Sequence, residues 1–376
     1  MRRWPHESPL ARGRGKVTAL SLPSPRHEAW RWSDLSVLPE LVDAPPRGGM
    51  IDTHGLWIGN GPRLLFIDGR YEAGLSHPGP VEVGPAHVSS DHPLARLAAG
   101  EGWVLNLSGT HSPPATIEIV HVGTGGASHL PARIMLAEDA QASIIETFVG
   151  DGWANRLTRI DLARSARLMR TVRLLQASGF QSLREEAAIA GGASLVTVLL
   201  GAGTAGTRID AALALEGEGA FAEFGGALLA RGAQRHDANI VLRHGAPGGT
   251  SRQVWRAVAD DAATDSIAAR VEVARRAQQT DAEQSLKGLL LARTATINTK
   301  PELEIFADDV KCAHGCAIGE LDRQALFYLQ SRGIPPQPAR ALMTRAFVAA
   351  ALERIGEETV RDAVLADADA WLGETA

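Results

Sequence analysis

A disulfide framework is the first thing this sequence cannot supply. Of its 376 residues two are cysteines, Cys312 and Cys316, and both sit within one five-residue span. That excludes the small secreted scaffolds held by several bridges and favours a reducing compartment. Aromatic residues are scarce at 5%, while glycines number 39. A core of small and aliphatic side chains suits thin stacked layers better than a bulky aromatic interior. No apolar run reaches the roughly 18 residues that a membrane-crossing helix needs. A net charge of −5 gives no basic excess for broad nucleic-acid binding. The basic start Met1-Arg2-Arg3-Trp4 leads into no apolar stretch, so no export signal and a cytoplasmic protein are expected. The glycine cluster Gly123-Thr124-Gly125-Gly126 lacks the Gly-Lys-Ser/Thr of a phosphate-binding loop and the full dinucleotide fingerprint. It reads as a turn, and any ATP chemistry falls to a partner.

What is present is a succession of short alternating runs. From Trp103 onward come Trp103–Leu107, Thr116–Val120, Ser143–Thr147, Leu195–Leu199, Ala211–Leu215, Ala238–Leu242, Ala269–Val273 and Leu303–Ile305. Each has period two and is bounded by turn residues, with weak helical signals between them. Such a pattern fits a sandwich, a barrel or a parallel β-solenoid; the small-residue bias favours the solenoid. Residues 1–102 read as a mixed, partly helical region interrupted by Pro23, Pro25, Pro39, Pro45 and Pro46. Short helices are expected near Glu28–Leu38 and Pro93–Ala99, and a strand over Arg63–Ile67 ending in an Asp68-Gly69 turn. The β core is expected over 103–320 and a helical domain over 321–376. In that last part Leu321–Arg332 reads as a helix stopped by Gly333, with a second helix from about Pro338 and a third from about Glu357 to Leu372. These helices are expected to cap the open end of the solenoid.

The densest chemistry lies in Lys300–Gly315. A strand-like segment there leads directly into Cys312, His314 and Cys316. Alternate residues of an extended chain share a face, so a thiol and an imidazole can aim at one point. The structural alternative is a small buried Cys312 beside a hydrogen-bonded turn histidine. The spacing is not that of a zinc site, and there is no second cysteine pair. This chain alone therefore cannot offer four thiolates to an iron–sulfur cluster. Cys316 is expected to be a packing residue, with a ligand role as the other reading. Upstream, Glu302, Glu304, Asp308 and Asp309 read as a strand face and a turn rather than an acid/base pair. His236, Asp237, His244, Thr250 and Ser251 form a further polar cluster. No nucleophile elbow accompanies it, so structural hydrogen bonding is expected.

The run "NTKPELEIFADDVKCAHG", followed by "LDRQALFYLQSRGI", resembles the C-terminal signature of the SufB/SufD family, and within it the SufD branch. Glu28-Ala29-Trp30-Arg31-Trp32-Ser33-Asp34-Leu35 is a weaker echo of an N-terminal element. The resemblance implies a mainly β fold, a right-handed parallel β-helix core with a C-terminal helical domain. It implies a non-catalytic scaffold for iron–sulfur cluster assembly, paired with a SufB-like subunit and a SufC-like ABC ATPase, and a possible homodimer when isolated. It places His314, and less strongly Cys312, at a nascent cluster shared with the partner chain, with no cofactor held tightly by this chain alone. Cys316 departs from the alanine usual there. The absence of a cysteine before Cys312 sets the chain apart from SufB. The ATPase is expected on the C-terminal helices, where Met343, Phe347, Ala351 and Ile355 form one apolar stripe that reads equally as its contact face or as a face buried on the end of the β-helix. The competing function is a β-helix enzyme acting on polysaccharide.

Overall fold

The computed structural model describes residues 21–48, 55–108 and 115–374; the basic start at Met1-Arg2-Arg3 lies outside them. Strands β1 (Arg63–Ile67), β2 (Arg70–Tyr71), β3 (Val81–Pro85) and β4 (Glu101–Leu107) precede two long strands, β5 (Ile117–Leu136) and β6 (Gln141–Leu162). Eleven more follow in pairs: β7 (Arg167–Leu174) and β8 (Phe180–Ile189), β9 (Ser194–Gly201) and β10 (Gly206–Leu215), β11 (Phe221–Ala230) and β12 (Arg235–His244). Next come β13 (Thr250–Ala259) and β14 (Thr264–Val273), β15 (Thr280–Leu290) and β16 (Thr296–Ile305), and finally β17 (Val310–Glu320) alone.

From β8 onward each strand pairs in parallel with the strand two places earlier. The first column runs β6, β7, β9, β11, β13, β15, β17. The second runs β6, β8, β10, β12, β14, β16. The result is a parallel β-solenoid of about seven turns. β5 and β6 are long because each bends through both columns. The bend of β6 needs Gly152, whose φ of +95° is in the left-handed region and whose missing Cβ would lie 2.3 Å from the Gly126 carbonyl. β1 and β4 pair in parallel with β5, so the sheet reaches back into the region expected to be mixed. The Asp68-Gly69 turn forms as expected, with both residues at positive φ, and joins β1 to β2 as a hairpin.

Parallel register puts stacked residues on the same face, turn after turn. Ile209, Ala211 and Leu213 of β10 stand opposite Ala238, Ile240 and Leu242 of β12, and all six are buried. The interior also holds charge. Arg170 lies between Glu146 and Glu185 and pairs with both. His121 donates from Nε2 to Glu146 Oε1 at 2.7 Å, and Thr197 Oγ1 donates to Glu185 at 2.9 Å.

Outer faces are covered laterally. Helix α1 (Leu38–Val42) and the segment before it lie over the second column. Arg208 anchors that segment: it pairs with Asp210 and Asp237, donates to Ala29 O at 2.8 Å and stacks 4.3 Å over Trp30. After the solenoid come α2 (Arg323–Ser331), α3 (Pro336–Leu352) and α4 (Glu358–Glu374). Asp322 caps α2, accepting from Gln324 N and Ala325 N, and Gly333 at φ +89° follows its end. The three helices do not cap the end of the solenoid. Val348, Leu352, Val360 and Val364 pack against Val198, Leu200, Leu229 and Val258 on the flank of the first column.

Arg170→Ala leaves two buried carboxylates without their cation. Equilibrium denaturation is expected to show a loss of roughly 3–5 kcal/mol. Burial, reinforced by Arg156, depresses His121 from 6.5 to about 4, and burial depresses His244 likewise. The unfolded chain takes up these protons first as pH falls. Stability is therefore full above pH 6.5 and is expected to decline from there toward pH 4, measurable as a falling denaturation midpoint.

Candidate functional site

The last strand is the exception to the stacking rule. β17 pairs with β15 along its whole length, from Thr280 opposite Val310 to Leu290 opposite Glu320. No other strand pairs with β17 among the described residues, and its residues are exposed on both faces over most of its length. From Cys312 to Gly319 it carries no proline, lysine or carboxylate, the devices that ordinarily blunt a free strand edge. The neighbouring surface is apolar too: Ile318 is 44% exposed, Ile305 39% and Phe306 65%.

Cys312, His314, Cys316 and Ile318 share the face that stacks on Ala282, Gln284, Leu286 and Gly288. In β15 that face is the buried interior. In β17 no further turn covers it, because the chain leaves into α2. His314 and Cys316 are exposed. The expectation that Cys316 is a packing residue is therefore corrected. Cys312 is the one that packs: it is half-buried against Val271, Val273, Ala282 and Ala307, and burial pushes its thiol pKa up. Beneath His314, Gln284 is fully buried, donates from Nε2 to Ala269 O at 2.8 Å, and leaves Oε1 without a partner.

The acidic residues nearby are occupied as the structural reading requires. Glu302 pairs with Lys300 at 2.9 Å and with Arg270 at 3.3 Å. Lys300 also binds Glu28, which ties the N-terminal segment to the last turn of the second column at 2.5 Å. Asp309 sits in the turn before β17, its N–H donating to Gln278 Oε1 at 2.9 Å. His244 and Ser251 do meet, at 2.8 Å, but both are buried and His244 Nδ1 has no acid behind it. His236 faces Asp265 at 3.1 Å inside the solenoid, and Asp237 serves Arg208. None of these is a catalytic triad. Gly123–Gly126 is the bend of β5, where Thr124 is held by Asp68 at 2.7 and 2.6 Å. No group of three or more His, Cys, Asp or Glu among the described residues is placed to hold a metal ion.

The stripe expected to receive the ATPase turns the other way. Ala351 and Ile355 are buried, Met343 and Phe347 are half-buried, and Phe347 and Ile355 join the apolar cluster on the solenoid flank. The open apolar residues of these helices are Phe327, Tyr328 and Leu342.

A family model described as "SUF system FeS cluster assembly, SufBD core domain" matches residues 120–347, from β5 into α3. The chain belongs to the SufBD family of iron–sulfur cluster assembly proteins. It is 27% identical to the iron–sulfur cluster assembly protein SufD of Escherichia coli K12, over 92% of this chain and 88% of that protein. It is 41% identical to the chloroplastic protein ABCI7 of Arabidopsis thaliana, over 33% of this chain and 26% of that protein. A SufBD family protein of Synechocystis is 35% identical over 43% of this chain and 35% of its own length. The SufBD match takes in β17 and both of its cysteines.

Sequence reasoning missed Gln284. Its only sequence signal was a polar residue at an apolar parity position, between Ala282 and Leu286. The different settings of the two thiols are checked by alkylation. Iodoacetamide is expected to modify Cys316 well before Cys312 in the native protein, with peptide mapping as the readout.

Proposed function

We infer that this chain is a non-catalytic scaffold subunit whose last solenoid turn docks on a SufB-like subunit, with His314 at the joint cluster-assembly site. The observation that carries this reading is the uncovered β17. An eleven-residue strand with one free edge and an open face is a template for another chain's strand or solenoid end. Docking there satisfies the unpaired backbone groups and covers the exposed Ile318, with the exposed Ile305 and Phe306 at the other end of the strand. His314 then lies at the seam between the two subunits, and the nascent cluster is shared cargo rather than a resident cofactor.

Imidazole suits that task. It binds iron through one neutral nitrogen, and replacing a thiolate by it removes a negative charge from the cluster. A scaffold has to hold a cluster and then release it, which favours a mixed ligand set over four thiolates. A SufC-like ATPase supplies the nucleotide chemistry for which this chain has no phosphate loop. Its place is on the C-terminal helices, through their open residues Phe327, Tyr328 and Leu342 rather than the buried stripe. The complex works in the cytoplasm.

The test is made in cells that depend on this assembly route. His314→Ala is expected to lower the activity of iron–sulfur enzymes at least about tenfold, while the variant still co-purifies with its two partner subunits. Depolymerisation of an acidic polysaccharide by the lone chain, untouched by His314→Ala, would overturn the scaffold reading in favour of an enzyme.

A further inference from the structure

We propose that His314 and Cys316 together form a two-ligand half-site for a borderline-soft divalent cation of the ferrous type, with Gln284 as the residue that positions the imidazole. The proposal rests on the scaffold reading above and names the ligand set of that same site.

Three observations carry it. The first is parity. His314 and Cys316 are alternate residues of one strand and share the face that continues the solenoid interior. At about 3.3 Å rise per residue their Cα atoms stand about 6.6 Å apart. An imidazole and a thiolate, with metal bonds of about 2.0 and 2.3 Å, close onto one ion across that span. The second is access. Both residues are exposed, whereas Cys312 on the other side of His314 is half-buried and drawn into the apolar cluster. The resemblance pointed to Cys312 as the companion of His314; the packing gives that place to Cys316.

The third observation is Gln284. It stands opposite His314 in register, on the same face, and is fully buried. Its amide nitrogen is fixed on Ala269 O, so its oxygen is the free end, a buried acceptor with no donor. An unsatisfied buried acceptor costs about 1–3 kcal/mol. A ring N–H of His314 relieves that cost by donating to Oε1. The same bond selects the tautomer in which the other nitrogen presents its lone pair outward, as the outer-shell partners of metal-bound histidines do. On binding, the Cys316 thiol gives its proton to solvent, sulfur and the imidazole nitrogen each form one bond to the cation, and no electron is transferred. Two ligands leave a tetrahedral ion two positions short. Those positions belong to the partner subunit or to water, in keeping with the lack of any three-ligand group among the described residues.

Cobalt(II) added anaerobically to the full-length chain tests this through the thiolate-to-cobalt charge-transfer absorption. The band is expected in the native protein and in Cys312→Ala, and to vanish in Cys316→Ala. The affinity is expected to fall at least about tenfold in His314→Ala and in Gln284→Leu. A band that survives Cys316→Ala, a band lost only in Cys312→Ala, or no band at all overturns the half-site. If the cobalt site fails while His314→Ala still depresses iron–sulfur enzymes in cells, the half-site falls and the scaffold reading stands. If the cobalt site forms while His314→Ala is silent in cells, the scaffold reading falls and the half-site stands.

Discussion

Every turn of this molecule takes its hydrogen bonds and its burial from the turn before it. That dependence is the physical constraint beneath the rest of the structure. In a parallel coil a strand has two edges, and the earlier strand in its column satisfies one of them. The other waits for the next turn. At the start of the solenoid β1 to β4 close the account through β5. At the far end the sequence stops coiling and turns into helices, and those helices fold back along the flank. The free edge and open face of β17 follow from that choice of path rather than from any weakness in the strand.

The stack also explains why charge is tolerated in the interior. Arg170 holds Glu146 on a preceding turn and Glu185 on its own turn, and Thr197 on the following one also binds Glu185. A slip of one residue would turn every inward side chain outward and strand these groups in an apolar wall. Aliphatic columns of alanine, leucine and isoleucine resist such a slip less sharply, since many of their members are interchangeable in size. A buried ionic cluster spanning several turns marks a single register at some cost in stability, a use of such pairs attested in other folds.

The strands were legible in the sequence because period two is a local property. The number of residues per turn was not. It grows from 26, where Gln141 stands opposite Arg167, to 32, where Thr264 stands opposite Thr296, so no fixed repeat is visible. The helix stripe through Met343, Phe347, Ala351 and Ile355 was visible as apolar, but periodicity says that a face is covered and not by what. The anchor of the N-terminal segment was beyond reach, since Arg208 finds Ser33 across 175 residues of chain. For the site, the shared face of Cys312, His314 and Cys316 could be read from parity alone. Which thiol is free could not. It depends on the cluster of Val271, Val273, Ala277, Ala282 and Ala307, against which Cys312 packs, whereas Cys316 is exposed.

The lengthening of the turns has a directional outcome. Strands of the first column grow from 8 residues in β7 to 11 in β17, which lengthens that wall by about 10 Å, while the second-column strands from β8 to β16 stay at 10 residues. The uncovered end therefore carries a longer first-column strand than the start of the regular stack. The two ends of the stack are unlike in strand length as well as in finish, so a second solenoid docking end to end finds the long free strand edge at β17.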